Sequence, residues 1–172
     1  MTEQDRPPDL SSPSTVGDER TMLDGWLEFH RRTLEWKCEG LTPEQLRSRS
    51  VPPSNLSLIG LVRHMTDVER GWFAEHFGMD DAPIYSTEDN PDADFGDVEH
   101  ADPDSDLATF RREAALYRET AKQFDLDHIT ISVDAGEQFN LRWIYTHMIE
   151  EYARHNGHAD LLREAIDGAT GS

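Results

Sequence analysis

At 172 residues, with 35 aspartates and glutamates against 16 lysines and arginines, the chain carries a formal charge of −19. Such a surface repels the phosphate backbone of nucleic acid and anionic membrane headgroups, so neither is expected as a partner. A single cysteine, Cys38, excludes an internal disulfide and reads as a small residue near the end of a helix.

Hydrophobic residues make up 36% of the chain and the mean hydropathy is −0.72. With that little apolar material, the core has to come from well-patterned amphipathic segments. No apolar run approaches the length of a membrane span. The N-terminus lacks a basic region followed by an apolar one, so a cytoplasmic location is expected.

In chain order, residues 1–16 hold three prolines and three serines without a helical period and read as a disordered tail. Residues 17–168 read as a single domain. A first helix is expected from Asp18 to Glu39, with Met22, Trp26, Phe29, Thr33 and Trp36 at three- and four-residue steps. Thr42-Pro43-Glu44-Gln45 has the form of a capping box opening a short helix. A second long helix runs from near Ser57 to near Gly78, with an apolar face of Leu58, Leu61, Val62, Met65, Val68 and Trp72. His64 lies inside that face.

Residues 79–106 form a long acidic connection. Asp92-x-Asp94 and Asp102-x-Asp104-x-Asp106 lack the glycine and glutamate of a calcium loop at the right offsets. A solvated segment over the mouth of the fold, pinned by Tyr85 and Phe95, is expected instead. A third long helix follows from Asp104 or Ser105 to Phe124. His128-Ile-Thr-Ile-Ser-Val133 alternates like a strand but has no evident partner, and reads as an extended linker. A last helix begins near Asn140. Four long amphipathic helices and a short one predict an all-α four-helix bundle.

On that last helix, Leu141, Ile144, Met148, Leu162 and Ala165 share one face at about 100° per residue. Glu151, His155 and His158 share it too. Burying such groups without partners costs several kcal/mol, about as much as a core gains from large side chains. A bundle selected only for stability would carry leucine there. Glu151 and His155 are one turn apart, the spacing at which a helix offers two ligands to one ion. If the second and last helices face each other, His64 completes a set of His64, Glu151 and His155. Three protein ligands with one open position is the usual form of a catalytic zinc site. Nickel, iron and manganese accept the same donors. His158 is read as the proton-handling residue, a fourth ligand or a partner behind the ligands. His147 is the substitute ligand if the set differs. Arg154 is expected to pair with Glu150 on the rim, and Asn156 to point away from the stripe. Trp72, Trp143 and Tyr145 read as core packing before pocket lining. His30, His76, His100 and His128 are placed at the surface.

Two long segments carry a resemblance. Ser54-Asn-Leu-Ser-Leu-Ile-Gly-Leu-Val-Arg-His64-Met, with Leu141-Arg-Trp-Ile-Tyr-Thr-His-Met-Ile-Glu-Glu151-Tyr-Ala-Arg-His155-Asn-Gly-His-Ala-Asp160-Leu-Leu-Arg-Glu164, resembles the DinB-like superfamily. The acidic Asn90-Pro-Asp-Ala-Asp-Phe95 fits the same branch. The resemblance implies up-down-down-up connectivity, often a homodimer. It also implies a divalent metal held by one histidine of the second helix and two residues one turn apart on the last. Most relatives have histidine at both last-helix positions. Glu151 departs from that and is similar to the mycothiol-dependent maleylpyruvate isomerase branch, with its His, Glu, His zinc set. The implied activity is thiol-dependent S-transfer or isomerisation, with a low-molecular-weight thiol and a small-molecule electrophile as partners. The alternative is a non-catalytic metal-binding bundle with a structural ion, marked by a fourth protein ligand. A bundle that keeps these residues as a hydrogen-bonded network without metal is the third reading.

Overall fold

The computed structural model describes residues 10–80, 82–131 and 136–170. It is mostly helical. The elements in order are α1 (Glu19–Cys38), α2 (Pro43–Arg47), α3 (Leu58–Glu69), a π-helical turn (Arg70–Ala74), α4 (Glu75–Phe77), α5 (Ala93–Gly96), α6 (Pro103–Ala121), β1 (Ile129–Ile131), β2 (Gln138–Asn140) and α7 (Leu141–Asp167). Each long helix starts at a side chain that satisfies its free amides. Asp18 accepts from Thr21 N, Ser57 from Gly60 N, Asp102 from Ser105 N and Asn140 from Trp143 N. The Thr42–Gln45 capping box of α2 forms as expected. Left-handed glycines end the α4 and α7 segments, Gly78 at φ 67° and Gly168 at φ 80°.

The helix α1 lies along α7, and α3 lies against α6 while also meeting α7 and α1. Side-chain pairs give the directions. Arg142 meets Glu19, Tyr145 meets Asp24 and Lys37 meets Asp160, so α1 and α7 run the same way. Arg63 meets Asp106 and Arg70 meets Glu113, so α3 and α6 also run together. His64 meets His155 and Trp72 meets His147, which sets α3 against α7 in opposite directions. The core between them holds Leu27, Leu34, Leu61, Met65, Phe73, Phe110, Tyr117, Met148 and Tyr152, all essentially buried. Arg31 is buried with them, donating to both oxygens of Glu69 at 2.6 and 2.7 Å, and the Tyr152 hydroxyl donates to the same carboxylate.

Several local expectations need correction. The buried side of α1 is Leu27, Arg31, Leu34, Lys37 and Cys38, not the Met22–Trp36 stripe, and Trp26 is 41% exposed. Arg31 and Lys37 can face inward because Glu69 and Asp160 neutralise them. Of the expected 128–133 linker, residues 132 and 133 lie outside the described residues, and the part before them does have a partner. Ile129, Thr130 and Ile131 pair antiparallel with Asn140, Phe139 and Gln138. His76 is buried rather than superficial, and His30 is half-buried against Asn156, whose amide donates to the His30 carbonyl at 3.0 Å. Asn156 therefore points into the α1–α7 seam and not to the rim. Ala165, expected on the buried stripe, is exposed. Of the expected tail, residues 1–9 lie outside the described residues, and Leu10 is buried. Among the described residues no helix is long and apolar enough to cross a membrane.

Candidate metal centre

The antiparallel pairing of α3 and α7 brings three ligand atoms, one each from His64, Glu151 and His155, within 4.8 Å of one another. Their side chains are 24%, 16% and 11% exposed, so the cluster opens to solvent and is not sealed in the core. The His64 and His155 rings meet edge to face with centroids 4.8 Å apart. His155 Nε2 faces Glu151 at 3.5 Å. Burial, with the His64 and His158 imidazoles beside it, lowers the His155 imidazole to about 4. It is therefore neutral at pH 7, the form in which imidazole ligates a metal. Two imidazoles and a carboxylate converging in this way fit a divalent ion of the zinc, nickel, iron or manganese group.

Each histidine is held from behind by a second residue. The Asp94 carboxylate lies 2.8 Å from His64 Nδ1 and is itself buried. With Nδ1 engaged there, Nε2 is the nitrogen left for the cluster. Phe95 stacks on the same ring at 4.5 Å, and its backbone N–H donates to the other Asp94 oxygen at 2.8 Å. The short helix α5 thus clamps His64 against α3. On α7, His158 Nδ1 is 3.4 Å from His155 Nδ1, on the ring edge away from Glu151.

From the segment between α4 and α6, Phe95 packs on His64 and Tyr85 lies under the Arg63 guanidinium at 4.9 Å. Asp94 is 30 residues from its partner and lies in a run of carboxylates for which solvation is the default, so the sequence offers it within Asp92-x-Asp94 and the Asn90–Phe95 stretch but not as a partner of His64.

Among the described residues no fourth histidine, cysteine or carboxylate joins the His64, Glu151, His155 group. His147 lies in an overlapping group with Glu150 and Glu151, its Nε2 4.0 Å from Glu151. Glu150 is exposed and paired with Arg154, as expected, while Arg154 also reaches Glu151 at 3.7 Å. Tyr145 is buried, but Trp143 is 44% exposed, contrary to the core placement expected for it. Cys38 is remote from the cluster in sequence, and burial pushes its thiol up to about 12. It is a packed, unreactive side chain.

The comparison with curated proteins finds no match. A family model described as mycothiol-S-transferase matches residues 22–168, from within the first turn of α1 to the end of α7, and so spans His64, Glu151 and His155. The chain belongs to the mycothiol S-transferase family, a DinB-like family.

Proposed function

We propose that the protein is a thiol S-transferase or isomerase of the mycothiol type whose divalent metal is held by His64, Glu151 and His155. The observation that carries this is the convergence of three ligand atoms, on side chains that keep some solvent exposure, without a fourth protein ligand among the described residues. A structural ion would be enclosed by four ligands, whereas an open position admits a substrate. Zinc suits the donor set best, as neutral imidazoles and one carboxylate are its ordinary partners. The wider architecture belongs to the same reading. It is a DinB-like four-helix bundle over residues 17–168, with α1 and α7 running one way and α3 and α6 the other. A homodimer is included by resemblance alone, and sedimentation at micromolar concentration tests it.

When bound, the ion would supply Lewis acidity that lowers the pKa of a thiol. The remaining work falls to the chain. Asp94 and His158 fix the tautomers of His64 and His155, leaving each Nε2 free of its proton. With Nδ1 of His158 accepting from His155, the His158 proton sits on Nε2, and this N–H donates to the electrophile while the thiol proton passes to solvent as sulfur bonds to the electrophilic carbon. In an addition, the His158 proton passes to the substrate. In a substitution, it leaves with the displaced group.

The test is consumption of mycothiol with an electrophile by metal-loaded and chelator-stripped protein. Turnover that vanishes on stripping and returns on adding zinc is expected. His158→Phe, which removes that donor, should lower the rate about 10²-fold in protein matched to the wild type for zinc content. Equal rates with and without metal would refute the reading.

A further inference from the structure

Trp143, His147, Glu151 and His155 follow one another at four-residue steps on α7 and form a single ridge, and Phe139, on β2 just before the helix, packs on its first member. Phe139, Trp143 and His147 are rings in contact. Phe139 and Trp143 have centroids 4.7 Å apart, and Trp143 and His147 are stacked at 5.0 Å with 20° between planes. From the facing helix, Trp72 touches all three, at 5.2, 5.2 and 4.7 Å. Trp72 sits in the π-helical turn Arg70–Ala74, a wide turn of the kind that recurs at functional sites. The ladder ends at the metal cluster, where His147 Nε2 is 4.0 Å from Glu151. Its middle member, Trp143, is left 44% exposed. A purely structural aromatic cluster would bury its largest ring, since that ring contributes most of the area.

We infer that this ladder is the seat for the flat, conjugated part of the small-molecule substrate, with Trp143 as the residue that selects for planarity. Eight residues separate Trp143 from Glu151, about 12 Å along the helix. A molecule lying on Trp143 and His147 therefore reaches the cluster with its other end. A planar π face on Trp143 gains dispersion and quadrupole contact that a puckered saturated ring cannot match. The inference rests on the S-transfer reading only in calling this substrate the electrophile. The binding preference stands or falls separately.

The experiment is a ligand-observed NMR titration of the zinc-loaded protein with two unreactive ketones of similar size. Acetophenone is flat, and acetylcyclohexane is not. Acetophenone should bind about 3- to 10-fold more tightly. Trp143→Ala should abolish that preference and Trp143→Phe should retain most of it, with metal content and helicity unchanged in both. His155→Ala, stripped of metal, should keep the preference. Equal binding of the two ketones by the wild type, or an undiminished preference in Trp143→Ala, would overturn the inference. A preference that depends on Trp143 in a protein that binds no metal would leave the seat standing and remove the S-transfer reading.

Discussion

At the scale of single residues, the partnership of Asp94 with His64 is the one most open to test. A carboxylate behind a ligating imidazole fixes its orientation and raises its basicity. Asp94→Asn should weaken metal binding about 10- to 100-fold, measured by competition with a chelator, while helical content stays the same. Unchanged affinity would mean that α5 merely covers the site. Cys38 offers a second residue-level prediction. Its buried thiol, raised to about 12, remains protonated at pH 8, so iodoacetamide should fail to modify the folded protein and modify it readily in denaturant. Rapid native modification would contradict the burial. The three candidate ligands were legible in the sequence because they interrupt apolar stripes, where their desolvation cost needs an explanation. Asp94 as the partner of His64 was not, because a carboxylate among carboxylates on a connecting segment carries no such cost until its fold is known.

Among the elements, the end of α4 and the hairpin are joined through His76. Thr130 donates to the His76 carbonyl at 3.0 Å, and the His128 ring meets the His76 ring edge to face at 5.1 Å. Both ring nitrogens of His76 are buried, and among the described residues neither has a hydrogen-bond partner. Burial, and the neighbouring His128, lower this imidazole to about 4, while Glu75 opposes the shift. Between about pH 6.5 and 4 the unfolded chain binds a proton at this residue and the folded chain does not. Stability contributed here is therefore full above pH 6.5 and falls as the pH drops towards 4, by up to about 3 kcal/mol. His76→Phe, which suits the Phe77 and Phe124 rings nearby, should flatten that fall in urea unfolding. An identical pH profile in the variant would sink this account. The long helices were legible from periodicity and caps, with Asp18, Thr42, Ser57 and Asn140 all at the expected starts. The buried stripe of α1 was not, since Arg31 and Lys37 read as surface until their carboxylate partners are in place. The hairpin was also missed, because Gln138-Phe139-Asn140 is too short for a period and ends in a helix cap.

For the molecule as a whole, the core is stitched by charge as well as by apolar packing. Arg31, Glu69 and Tyr152 join α1, α3 and α7 in a fully buried network. Removing one member leaves a buried carboxylate without its cation. Arg31→Met should cost about 3–5 kcal/mol, and Arg31→Met with Glu69→Leu should recover much of it. Urea unfolding of both variants checks this, and a single variant as stable as the double one would contradict it. The same helices that share this network carry His64, Glu151 and His155, so folding α3 against α7 assembles the candidate metal cluster.

That assembly is the central claim, and metal content reads it most directly. Elemental analysis of untagged wild-type protein and His155→Ala, side by side after reconstitution with zinc, should find about one ion per chain in the first and almost none in the second. Equal metal in both, or none in the wild type, would contradict the assignment of His64, Glu151 and His155 as a metal centre.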